Sequence, residues 1–263
     1  MELKTYKTIK LEVFENSALL IKLNRPKVLN AFNLELISEF LDALEFGKKS
    51  KAINIICITG EGKAFSAGGD LNAMDSKSDM FAGDVKELRE LYRSGIQQIP
   101  RVISSIDKPI IAFVNGPAVG AGCDLACMCD LRLVSEKAIF KESFINLSLV
   151  SGDGGSFFLE KIVGYAKAMD LLLTGRKVDS AEALSIGLAT QVLDESSFMN
   201  KCHLFVSKLL KLPQVALRMN KLGLKNAISS NLDQHLEYMS ALQSILQRSE
   251  DHEDLVKKFL SRS

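Results

Sequence analysis

The chain has 263 residues, of which 47% are apolar and 25% charged, and its formal net charge is +1. That length buries a sizeable core, as one large α/β domain or a domain with an appendage. The balanced charge gives no bulk electrostatic case for nucleic acid or an anionic membrane. KKSK at Lys48 to Lys51 reads as a solvated face. The five cysteines are Cys57, Cys123, Cys127, Cys129 and Cys202. Their odd number and the crowding of three in one apolar stretch suit reduced thiols in a cytoplasmic setting, not a disulfide framework. Cys127 and Cys129 form C-x-C with no histidine near in sequence, so they read as small buried hydrophobes and no metal site is expected. No apolar run reaches the roughly 18 residues of a membrane span.

In chain order, Ile9 to Val13 and Ala18 to Leu23 read as two strands joined by the turn FENS. Asn33 can cap a helix whose apolar stripe is Leu36, Ile37, Phe40, Leu41 and Leu44. Ala52 to Thr59 (AINIICIT) is a β-branched run suited to a parallel strand buried on both faces. Gly60 to Asp70 (GEGKAFSAGGD) is a glycine-rich loop, and Asp84 to Ser105 reads as a helix interrupted or bent near Pro100. KPIIAFV at Lys108 to Val114 is a further strand, followed by NGPAVGAGCDLACMCD at Asn115 to Asp130. Short strands are expected over Leu131 to Ser135 and Ala138 to Phe140. This alternation predicts an α/β fold with parallel strands and right-handed crossovers. After Asp194 the pattern changes to helices over Ser196 to Leu210, Pro213 to Ile228 and Leu232 to Leu260. The expected division is an α/β core over 1–195 and a helical subdomain over 196–263.

Two small-residue turns carry the functional argument: AFSAGGDL at Ala64 to Leu71 and NGPAVGAGCDLACMCDLRL at Asn115 to Leu133. Together they resemble the crotonase (enoyl-CoA hydratase/isomerase) superfamily. LNRPKVLNAF at Leu23 to Phe32, FINLSLVSGDGGSFFLEKIVG at Phe144 to Gly164 and LLLTGRKVDSAEALSIGLATQV at Leu171 to Val192 resemble further segments of that family in the family's order. The resemblance implies a crotonase-like fold of repeated ββα units with parallel sheets. It implies an acyl-CoA thioester as substrate and no cofactor, since coenzyme A is part of the substrate. A thioester enolate is an oxyanion and needs fixed donors where its charge develops. By resemblance those donors are the backbone N–H groups of Gly69 and Ala121. Segments matching Lys27, Val28, Leu29, Ala67, Asp70 and Leu71 commonly line the coenzyme A path in the family. Lys257 or Lys258 is placed to reach its phosphates. The helical tail implies a homotrimer or a dimer of trimers.

Asp124 falls where the family's hydratases carry one of two catalytic glutamates. An acid near a helix start also serves as a helix-dipole partner. The second glutamate position is occupied by Phe144, so a two-carboxylate hydratase site looks incomplete. Glu142 lies two residues before it, and Asp153 is the better substitute, either as the working acid or as the cap of a helix starting near Gly154. The three histidines, His203, His235 and His252, match no catalytic motif, and Ser66 and Ser143 lack a nucleophile elbow. The resulting expectation is an enzyme that forms a thioester enolate and shifts a double bond in an enoyl-CoA. Water addition to a 2-enoyl-CoA and an inert acyl-CoA binder are the alternatives.

Overall fold

Glu15 and Asn16 both take positive φ, 50° and 59°, as a tight hairpin requires. They join β1 (Ile9–Phe14) and β2 (Ala18–Leu23) in an antiparallel pair. The structure, a computed structural model, describes residues 3–261. Asn33 caps α1 (Leu34–Lys49), its side chain accepting from the Leu36 N–H, and the apolar stripe of that helix is buried. Every residue of β3 (Ile55–Gly60) is buried, as suits a strand covered on both faces. After the glycine-rich loop come α2 (Leu71–Asp75), α3 (Val85–Ser94) and α4 (Gln98–Ser105). The interruption expected near Pro100 falls instead at Gly95–Gln97, where α3 ends at Gly95. Pro100 sits in the first turn of α4, where a missing N–H breaks no intrahelical bond.

The second half begins with β4 (Ile110–Val114), β5 (Ala118–Val119), α5 (Ala121–Met128), β6 (Leu131–Ser135) and β7 (Ile139–Lys141). It continues through α6 (Gly155–Val163), α7 (Tyr165–Thr174), β8 (Val178–Asp179), α8 (Ser180–Ser185) and β9 (Gln191–Leu193). β1, β2, β3, β4, β6 and β9 form one six-stranded sheet in that order, parallel except for the first pair. β5, β7 and β8 form a small second sheet. Alternating residues of β2 face opposite ways. Leu19 and Ile21 pack with Leu36, Phe40 and Ile56 on one side; Ala18 and Leu20 pack with Ile55, Cys57 and Phe113 on the other.

No strand follows β9 among the described residues, and four helices do: α9 (Phe198–Leu210), α10 (Gln214–Ser229), α11 (Leu232–Gln247) and α12 (Glu250–Leu260). α9 closes the second face of the large sheet with buried Phe198, Cys202 and Val206. The packing is therefore continuous across residues 195 and 196. α10 is tied to the sheet by Lys221, whose Nζ lies 2.6 Å from Asp130 and donates to the Lys108 carbonyl. The single helix expected over 232–260 is two, because Ser249 starts a new one by accepting from the His252 N–H. All five cysteines are buried and free.

Candidate active site

Two backbone turns meet at the N-terminus of α5. Gly68 takes φ +87°, and a Cβ there would lie 2.6 Å from the Val119 carbonyl and 3.2 Å from the Ala121 nitrogen. A Cβ at Gly122 would lie 2.3 Å from the Ser66 carbonyl. Glycine is needed at both positions because the loop before α2 lies directly against the start of α5. Gly120, with φ 52°, aims the chain into the helix. Helix-start N–H groups have no intrahelical acceptor. Among the described residues neither the Ala121 nor the Gly69 N–H donates to a protein acceptor. Both expected donors are thus free and sit on adjoining turns.

One turn into α5, Asp124 is 0% exposed, and it shares its pocket with Glu142 (2%) and Asp153 (4%). Asp124 lies within hydrogen-bond reach of both other carboxyls. Its Oδ2 accepts from the Ser151 hydroxyl at 2.9 Å. Asp124 Oδ1, Asp153 Oδ1 and both Glu142 oxygens are buried with no conventional hydrogen-bond donor. Burial disfavours a charged carboxyl, and like neighbours add to this. Desolvation, then Asp153, push Asp124 well above the carboxylate range. Desolvation raises Asp153, while accepting from Asp124 draws it back down. Both carboxyls are thus raised, and the pair is suited to holding one shared proton. Desolvation lifts Glu142 to about 7. Asp153 does not cap α6: the cap residue is Gly154, with no side-chain cap bond. Of the two roles left open for Asp153, capping is thereby removed.

Phe144, which the resemblance aligns with the second hydratase glutamate, lies against the turn that starts α5. Its ring edge is 3.7 Å from a Cβ placed on Gly120, beside the start of α5. It belongs to a short 3-10 turn, Ser143–Leu147, that follows Glu142, which is buried in alternation with Phe140 at the end of β7. A cavity of about 780 Å³ lined by Leu71, Met74, Phe81, Val85, Tyr92 and Leu149 opens beside the site. Met74 and Phe81 reach the Gly69 end, at 2.6 and 3.1 Å from a Cβ there, and Tyr92 reaches Gly152 at 3.3 Å. This wall comes from α2, α3 and the turn between them, a region in which the sequence showed only a helix starting at Asp84.

The expected coenzyme A segments come together in part. The Ala67 N–H donates to the Leu29 carbonyl at 2.9 Å, and Leu29 and Leu71 are exposed, at 46% and 59%. Lys27 and Val28 lie in the 3-10 turn just before Leu29. Asp70 caps α2 and pairs with Arg25 at 3.4 Å, so its carboxylate already has structural work. Lys257 and Lys258 lie in the last turn of α12. His203 stacks on Phe14 with ring centroids 4.2 Å apart, His235 approaches Asn226, and the His252 N–H serves a helix cap. None of the three is part of the acid cluster.

A fold of this topology with free N–H groups beside buried acids defines a class of enzymes that act on acyl thioesters. The family model for enoyl-CoA hydratase/isomerase matches residues 13–263. The chain belongs to that family. It is 31% identical over 98% of its length to a crotonyl-CoA hydratase of Syntrophomonas wolfei, covering 96% of that protein. It is 30% identical over 94% of its length to a 1,2-epoxyphenylacetyl-CoA isomerase of Escherichia coli, covering 94% of it. A solved enoyl-CoA hydratase of Bacillus anthracis superposes with a TM-score of 0.90 at 24% identity, over 97% of both chains, and has the same fold.

Proposed function

We propose that this protein shifts a double bond in an enoyl-CoA through a thioester enolate. The observation that carries the reading is the Asp124–Asp153 pair, buried beside two free N–H groups, with Phe144 where the family's hydratases hold a second water-orienting acid. Ionised Asp153 takes a proton from C2 of a 3-enoyl thioester. The electron pair moves onto the thioester oxygen, which accepts hydrogen bonds from Gly69 and Ala121. The same carboxyl returns the proton at C4, the double bond moves to C2–C3, and Asp153 is ionised again. Asp124, kept neutral, donates to Asp153 and fixes its orientation. The apolar cavity suits the acyl group, and the exposed edge formed by Lys27, Val28, Leu29, Ala67 and Leu71 suits the carrier.

Hydration is the second reading. The relative from Syntrophomonas is named a hydratase, and the Ser151 hydroxyl offers a polar group beside Asp124. The two are separated by incubating the protein with 2-enoyl- and 3-enoyl-CoAs in deuterated water and weighing the products. Isomerisation leaves the acyl mass unchanged apart from deuterium at C2 or C4; hydration adds one water. No exchange and no conversion across the panel sinks both readings and leaves an inert binder.

A further inference from the structure

On α5, adjoining the acid cluster, lies a group of side chains that the proposed proton shuttle does not use. Cys123 and Cys127 are four residues apart and so share one face of α5. Glu142 reaches the same place from the end of β7. The two sulfurs and a Glu142 oxygen all lie within 4.8 Å of one another. Cys123 and Cys127 are 2% and 3% exposed. Both Glu142 oxygens lack a conventional hydrogen-bond donor, and only the Asp124 carboxyl and the Cys123 thiol lie within reach. A carboxyl buried this way is costly to ionise and is satisfied by a proton or a cation.

We propose that Cys123, Cys127 and Glu142 form a binding site for one zinc-class divalent metal ion. Two thiolates and a carboxylate are a donor set for a borderline-soft, four-coordinate ion. Donors about 2.0 to 2.3 Å from such an ion stand roughly 3.5 to 3.8 Å apart, so the cluster closes around it with small side-chain shifts. Cys123 and Glu142 also line a cavity of about 10 Å³, the volume of roughly one water. The cavity leaves room for one water as the fourth ligand. The rest of the cavity wall includes apolar Phe140, Leu159, Leu171 and Val178 together with Lys141 and Arg176. Binding is an exchange: two Cys–S–H bonds break, two metal–sulfur bonds form, and the thiol protons leave to solvent. Thiol ligands bind as thiolates, so the metal competes with protons and affinity rises with pH. The bound ion pins β7 to α5.

Cobalt(II) and zinc(II) are the probes, added both to the folded full chain and during its refolding from denaturant, so that a closed site is still filled. Expected are one cobalt per chain by elemental analysis and a near-ultraviolet thiolate-to-cobalt band. Zinc should displace the cobalt with loss of the band. Cys127→Ser should weaken binding by about 100-fold or more and remove part of the band; Glu142→Gln should weaken it by about 10- to 100-fold while keeping the shape of the side chain. Sub-stoichiometric cobalt in the refolded wild type overturns the site. So does a stoichiometric band that survives both substitutions.

Discussion

Asp124 occupies space that only a glycine at 155 leaves open. A Cβ there would stand 1.6 Å from Asp124 Oδ1, so Gly155→Ala must push the carboxyl out of its place. We expect a loss of about 1–3 kcal/mol in stability, of the size seen for overpacking, measured by urea unfolding. Isomerisation should fall further than stability accounts for at a temperature where the variant is folded. Asp153→Asn and Asp124→Asn should each lower isomerisation, the first by about 100- to 10,000-fold as for a lost acid–base group. Turnover unchanged in Asp153→Asn would remove it from the chemistry. Asp153 must be ionised to take a proton, and burial raises it from 3.8. Activity should therefore rise with pH through a value above the ordinary carboxylate range. Its linkage to stability has the opposite sign. The native state binds the extra proton, so the stabilisation is whole below about 4 and fades as pH climbs through the raised value, with a slope of at most about 1.4 kcal/mol per pH unit. Asp153→Asn should flatten that part of the curve of unfolding free energy against pH.

At the scale of elements, the free N–H of α5 is the feature most directly tested. Ala121→Pro deletes the donor at the first position of the helix, where proline is otherwise tolerated. We expect turnover to drop on the order of 100-fold or more with circular dichroism unchanged; full turnover in a folded variant would exclude Ala121 as a donor. The sequence carried this arrangement well. KPIIAFV followed by small residues and an early acid reads as strand, tight turn and helix start, and the structure places Asp124 as the fourth residue of α5. Glu142 was harder. Alternation along β7 turns Phe140 and Glu142 to the same buried side, and the 3-10 turn at Ser143–Leu147 then takes Phe144 off that register; that the buried side faces Asp124 is a tertiary fact that alternation does not reveal. The cysteine pair shows the same limit. C-x-C at 127 and 129 is conspicuous on the page, but helical geometry joins 123 with 127, and their third partner lies across a turn. The break at Gly95 was displaced in the reading because proline is the louder signal, although in a first helical turn it breaks nothing.

At the scale of the molecule, a change of pattern after Asp194 is visible in sequence as the end of the strands, but it does not separate the cores, because α9 seals the sheet. What stands apart is the end of the chain. α12 has no buried residue and packs on α11. Large apolar side chains on these two helices face solvent in the single chain, among them Leu232 at 69%, Leu236 at 56%, Ile245 at 57% and Leu255 at 48%. Apolar surface of this kind on a helical pair is characteristic of an interface between subunits. We therefore expect the full chain to self-associate, as the trimer or dimer of trimers that the family resemblance implies. A chain ending at Ser249 loses no buried residue among those described, so it should stay folded, losing only the share of helical circular dichroism that α12 contributes, while showing a smaller or more readily dissociating species. It should also bind acyl-CoA more weakly if Lys257 or Lys258 meets the carrier's phosphates, and that loss should shrink as salt is raised. A truncated chain with the mass and acyl-CoA affinity of the full one would reduce α12 to a surface helix. A full chain that stays monomeric at high concentration would remove the assembly altogether.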